Sequence, residues 1–253
     1  MTRLARKNRM PVPRNRSALI TAATVGVLLA TVVATDTAAA RPIGPFDVGG
    51  LIEVEYDQAG GPGVLGDPVT PESDAGHGGR YQEFDRSASI YWHPDVGAHQ
   101  VGGPIRNKWG SLGWENGQLG YPVTREESTP GQSGRYNHFQ GGSIYWSLGT
   151  DAHQISGSIR DKWGSYGWEN SPLGFPITDE IKGAKNGRHN LFGGGAIYWS
   201  PTTGAHAVWG SIRMTWEGSG VEAGRFGYPT SDEYDYEGGK AQDFQGGRIT
   251  WRP

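Results

Sequence analysis

The sequence contains no cysteine, so no disulfide framework holds the fold and no thiol is present to act as a nucleophile. Beyond residue 34 no apolar run approaches the length of a membrane-spanning helix. Aliphatic side chains are sparse. The chemical signatures of hydrolases are missing as well: there is no Gly-x-Ser-x-Gly elbow, no His-Glu-x-x-His pair and no phosphate-cradling loop. A basic surface is also lacking. Without residues 1–40 the chain carries 17 Lys and Arg against 25 Asp and Glu, a balance that excludes a nucleic-acid partner and adhesion to anionic lipid.

What is present begins with a basic segment, Arg3 to Arg16, followed by an uncharged stretch from Ala18 to Ala34 and by Ala38-Ala39-Ala40. This is the order of a signal peptide, with cleavage expected before Arg41; an uncleaved anchor is the alternative. The remaining 41–253 form the mature chain, which is expected to have no membrane contact after cleavage. Ten Trp and eleven Tyr must supply much of its buried area, at roughly 150–250 Å² per large aromatic ring.

The 42 glycines and 16 prolines would suit a disordered chain unless they are periodic, and they are. Leu65-Gly66-Asp67-Pro68 returns as Leu119-Gly120-Tyr121-Pro122, Leu173-Gly174-Phe175-Pro176 and Phe226-Gly227-Tyr228-Pro229. Ile90-Tyr91-Trp92, Ile144-Tyr145-Trp146, Ile197-Tyr198-Trp199 and Ile249-Thr250-Trp251 keep step. So do the pairs Ile52/Tyr56, Ile105/Trp109, Ile159/Trp163 and Ile212/Trp216, whose spacing puts both residues on one helical face. Four modules follow, at about 52–104, 105–158, 159–211 and 212–253.

Each module reads as a small sheet and one short helix. Tyr136 to Gln140 and Ser143 to Trp146 form strands around Gly141-Gly142, read as a hairpin using positive φ. Module one carries Asp85-Arg86-Ser87-Ala88 there, a turn one residue longer. Ala205 to Val208 forms a third strand, and Ser158 is placed to cap the helix that Gly157 opens. Phe46 to Ile52 aligns with His99 to Ile105. The strand at 45–50 is therefore expected to complete module four and close a propeller-like ring of four β-rich modules, with an open solenoid array as the alternative.

Residues common to every module build it; those found in some copies are free for a ligand. On that logic the shared tryptophans are core. His99, His153 and His206 read as buried and backbone-bonded rather than metal-binding, since no carboxylate recurs beside them in sequence. Glu72, Glu126, Glu180 and Glu233 follow Thr70, Thr124, Thr178 and Ser231 by two and read as turn residues. Their four-fold equivalence does not provide the two unlike carboxylates of a glycosidase. Modules two and three read Gly-Trp-Glu-Asn, with Trp114, Glu115 and Asn116 in one and Trp168, Glu169 and Asn170 in the other, whereas Gly61 and Val221 stand at the tryptophan position of modules one and four. An indole beside an acid and an amide suits a sugar, so these are the candidate ligand residues; covering a module junction is the other reading of the two indoles. No catalytic residue, metal or cofactor is expected.

The tetrapeptide, with Phe-x-Gly-Gly-x-Ile-x-Trp at Phe139 to Trp146 and Gly-Ala-His-x-Val at Gly204 to Val208, resembles the LGFP repeat family of actinobacteria over residues 46–253. That resemblance implies an exported, noncatalytic protein of the cell wall or envelope. It also implies binding to wall polysaccharide through arabinogalactan, and envelope enzymes as further partners. A wall-active hydrolase and a protein-interaction platform are the competing readings.

Overall fold

The computed structural model describes residues 40–253; the signal-peptide reading of 1–40 falls almost wholly outside them. Among the described residues there are five small antiparallel sheets. No described helix is long and apolar enough to cross a membrane. Strands β1 (Arg41–Ile43) and β2 (Phe46–Val48) form a hairpin. Helix α1 (Gly50–Gln58), the short α2 (Gly61–Val64) and a sheet of β3 (Ser73–Asp74), β4 (Arg80–Phe84), β5 (Ala88–His93) and β6 (Gly97–Gly102) follow. The second unit has α3 (Gly103–Ser111) and strands β7 (Glu127–Ser128), β8 (Gly134–Phe139), β9 (Gly142–Ser147) and β10 (Asp151–Ile155). The third has α4 (Gly157–Ser165) and strands β11 (Ile181–Lys182), β12 (Arg188–Phe192), β13 (Gly195–Ser200) and β14 (Gly204–Trp209). The fourth has α5 (Gly210–Glu217) and strands β15 (Tyr234–Tyr236), β16 (Gly239–Phe244) and β17 (Gly247–Trp251).

Each unit packs its helix on its own sheet. In the second unit Ile105 and Trp109 of α3 are buried with Leu119, Phe139 and Ile144. The indole N–H of Trp109 donates to the Gly120 carbonyl at 3.2 Å, as Trp163 does to Gly174 and Trp216 to Gly227; in unit one the Tyr56 hydroxyl donates to Gly66. This explains the tetrapeptide: leucine (phenylalanine in unit four) enters the core, and glycine takes a φ near +70° that side chains resist. Proline bridges to the buried phenylalanine of the second strand.

Two local expectations are corrected. Gly141, Gly194 and Gly246 of the hairpins have no positive φ. A side chain there would strike the carbonyl oxygens of Gln118, Pro172 and Arg225, so close approach demands glycine. Ser158 does not cap α4: the N-cap is Ser156, in extended conformation and without a side-chain cap bond.

Successive units interlock through the second face of each sheet. Tyr91 of β5 meets Trp109 of the next helix edge-on at 4.6 Å, and Tyr145–Trp163 and Tyr198–Trp216 repeat that geometry. Glu55 of α1 pairs with Arg125 of unit two at 2.7 Å. Lys108 pairs with Asp179, and Lys162 with Asp232, each at 2.8 Å.

The ring closure expected from the aligned termini is not found. β2 pairs with β1, and β17 pairs with β16. A joint from unit four back to unit one would lack each interlocking residue type. Thr250 stands where Tyr91 does, Thr215 and Pro71 stand where Lys108 and Asp179 do, and Asp67 replaces the aromatic of the tetrapeptide. Ile43 of β1 instead packs against the first core, at the ladder position opposite β2 that Tyr91 holds opposite β6. On the last sheet, Arg248 lies 4.9 Å over the Tyr236 ring.

Candidate functional site

One surface feature recurs with the repeat. In every unit a cation at the start of the second strand lies directly across the ladder from the tryptophan of the third: Arg80↔Trp92, Arg135↔Trp146, Arg188↔Trp199 and Lys240↔Trp251. The glutamate ahead of the sheet joins the cation in three of them. Glu72–Arg80 is 2.7 Å, Glu126–Arg135 is 3.4 Å and Glu180–Arg188 is 2.8 Å. In unit four Lys240 turns to Asp235 instead.

In units one and three the start of the helix closes the feature into a groove. In unit three Ser156, Gly157, Ser158, Glu180, Arg188 and Trp199 line a cavity of about 360 Å³. The same positions of unit one, Gly50, Leu51, Glu72, Arg80 and Trp92 among them, line one of about 210 Å³. Trp92, Trp146 and Trp199 touch the core on one side and are only partly buried; Trp251 is 41% exposed. An indole face, a guanidinium and a carboxylate around a shallow cavity suit a polyhydroxylated ligand. In unit two burial raises the Glu126 carboxyl above its ordinary value, with Arg135 and the Gly102 amide partly offsetting the rise.

Residues 65–117, 119–171, 173–224 and 226–253 each match the LGFP repeat. The chain belongs to the LGFP repeat family. LGFP repeats are known as cell-wall-associated modules. No curated protein matches the chain. An LGFP match begins at the tetrapeptide and runs into the next helix, whereas each packed core begins with the helix before the tetrapeptide.

The residues singled out from the sequence lie at the joints between LGFP units. Trp114 lies parallel to Tyr91, edge-on to Trp109 at 5.3 Å, and under the Arg106 guanidinium at 5.3 Å. Trp168 repeats this with Tyr145, Trp163 and Arg160. Glu115, only 8% exposed, accepts the Gly76 N–H at 2.7 Å and a bond from Asn116. The Tyr121 hydroxyl donates to the Gly76 carbonyl, so the N–H and the C=O of one residue of unit one are both held by unit two. Glu222 and Tyr228 hold Ala184 in the same way. Glu169 is bonded to Asn170, and Phe175 has no hydroxyl to offer. Trp114 and Trp168 thus pack at the junctions.

The recurring histidines each contact the carbonyl three residues earlier, His99 with Val96, His153 with Thr150 and His206 with Thr203. Contrary to the sequence reading, carboxylates do stand beside two of them: Asp179 at His153 and Asp232 at His206. They come from the following unit, so sequence proximity could not reveal them. Burial alone would raise the Asp179 carboxyl; bonds from His153, Lys108 and the Gln154 amide outweigh it and hold it well below the usual range. Among the described residues no cluster of three metal-ligating side chains is found.

Sequence reasoning missed the groove tryptophans because it assigned every shared residue to the core. The available signal was the basic residue recurring at the start of each second strand.

Proposed function

We propose that the protein is a noncatalytic, exported envelope component that binds wall polysaccharide, arabinogalactan in the first instance, through the repeated tryptophan–cation–glutamate grooves. The observation that carries this reading is the recurrence of a tryptophan across the ladder from a cation on four successive sheets, with a glutamate joining the cation in three of them. Equivalent sites suit a polymer of like residues, since weak contacts multiply when several grooves engage one chain. Glu72, Glu126 and Glu180 are paired with the strand cation in the same way, and no pair of unlike carboxylates of the kind glycoside hydrolysis needs recurs in a groove. The junction tryptophans, Trp114 and Trp168, brace neighbouring units and so set the relative placing of their grooves.

Co-sedimentation with purified wall polysaccharide tests the proposal. Wild-type protein is retained, and Trp146→Leu with Trp199→Leu reduces retention at least tenfold, about 1.4 kcal/mol, while the circular dichroism of the folded chain persists. Equal retention of that double variant would move the site away from the grooves. Absence of retention in the wild type would end the polysaccharide reading.

A further inference from the structure

The joint between units one and two holds a cavity of about 440 Å³ that the groove chemistry does not account for. Its walls include His77, His93, Glu115, Gln118, Tyr121 and Gln140. Gln118 also lines the groove of unit three, so the two concavities adjoin along one surface. We propose that this cavity is a second subsite for the same polysaccharide, occupied by residues of a chain that continues from the Trp199 groove across Gln118. The inference rests on the polysaccharide reading above and adds a path and a direction to it.

The lining supports a neutral, hydroxyl-rich occupant. The partly buried His93 imidazole lies 4.8 Å from the buried Tyr121 ring at a 35° tilt, which backs it from the core side and leaves its other face to the cavity for a sugar ring to pack on. Both bonds that Glu115 accepts fall on Oε1, leaving Oε2 without a protein donor among the described residues. The Gln118 and Gln140 amides can donate and accept. No lysine or arginine lines the cavity, so neither a phosphate nor a carboxylate finds its counter-charge there.

Unit four repeats Glu115, Tyr121 and Gln140 as Glu222, Tyr228 and Gln245, but no other unit repeats His93 or Gln118. Serines 147 and 200 occupy the position of His93, while Val64, Pro172 and Arg225 occupy that of Gln118. The second subsite therefore belongs to the first joint. A short saccharide fills the unit-three groove alone, and a longer one gains additional contacts here.

The test uses the full chain and two pools of oligosaccharide released from purified arabinogalactan by mild acid, one of mono- and disaccharides and one of long fragments. Affinities are measured by calorimetry. Wild type is expected to bind the long pool at least tenfold more tightly per groove. His93→Ser with His77→Gln, which installs unit two's residues at positions that do not line the unit-three groove, is expected to remove that gain and leave short-pool affinity unchanged. Retention of the full gain by this variant would overturn the second subsite while leaving the groove reading intact. One fewer short-pool site in Trp199→Leu, with the gain also absent in the double variant, supports both. Wild type that binds neither pool overturns both.

Discussion

Lys108 of α3 meets Asp179 of the following unit at 2.8 Å, and one joint earlier the same two positions carry the opposite signs, as Glu55 and Arg125. A helix charge at this place always finds its complement in the next unit, and the polarity differs between joints. Lys108→Glu alone should place two carboxylates together and lower stability by about 1 kcal/mol, a modest figure because Asp179 is partly solvated. Adding Asp179→Arg recreates the first joint's pair and should recover most of the loss. Urea midpoints of the two single variants, the double and the wild type form a cycle that measures the coupling.

Gly110 and Trp114 form a second coupled pair. A side chain at Gly110 would lie about 2.5 Å from the Trp114 ring, and Gly164 and Trp168 repeat the conflict. Units without the indole, with Gly61 or Val221, carry Asp57 and Glu217 in place of the glycine. Gly110→Ala should cost about 1–3 kcal/mol by overpacking in the wild type. In a Trp114→Val background the same change should stabilise the helix by about 0.5–1 kcal/mol. Thermal unfolding of the four combinations reads the reversal of sign.

Tyr121→Phe and Tyr228→Phe each remove a hydroxyl bonded to a backbone carbonyl of the preceding unit. Each should cost about 0.5–1.5 kcal/mol. Phe175→Tyr, at the joint whose facing turn lacks that arrangement, should give no comparable gain. Denaturant titration of the three variants separates these outcomes.

Burial holds the imidazoles of His138 and His189 below their ordinary value, aided at His138 by Arg160. The unfolded chain then takes protons that the folded chain refuses, so stability falls as pH drops below about 6.5. Asp179 and Asp232, held low in the fold, add a second loss as pH falls below about 4. The variant His138→Leu with His189→Tyr uses residues found at those positions in other units. It should flatten the loss between pH 7 and 5.5 and leave the loss below pH 4 in place, as followed by melting temperature.

The repeat made the unit legible from sequence. The pairs Ile105/Trp109 and Ile159/Trp163, the tetrapeptide and the third strand all lie where the periodic pattern puts them. Differences between copies are ambiguous in the sequence. Gly61 and Val221 at the position of Trp114 leave both a ligand site and a junction cover open, because a repeated unit varies wherever it touches a neighbour, and Trp114 sits on such a contact. The Gly110/Trp114 and Gly164/Trp168 pairing, one helical turn apart, was a readable trace of that packing. The same holds for closure: Phe46 to Ile52 does copy His99 to Ile105, but Thr250, Thr215 and Pro71 lack the groups that join one unit to the next. Those substitutions acquire meaning only when it is known which side chains face the neighbouring unit. Shared tryptophans were assigned wholly to the core because burial was treated as all or none. Trp199 packs inward on one face and lines a groove with the other.

The most direct measurement is a calorimetric titration of soluble wall arabinogalactan into wild type and into a chain with Trp92, Trp146, Trp199 and Trp251 all replaced by leucine, with folding of both verified by circular dichroism. The account predicts measurable heat and several sites per chain for the wild type, and binding reduced at least a hundredfold, about 2.7 kcal/mol, in the variant. Equal binding by the folded variant, or no binding by the wild type, would contradict it.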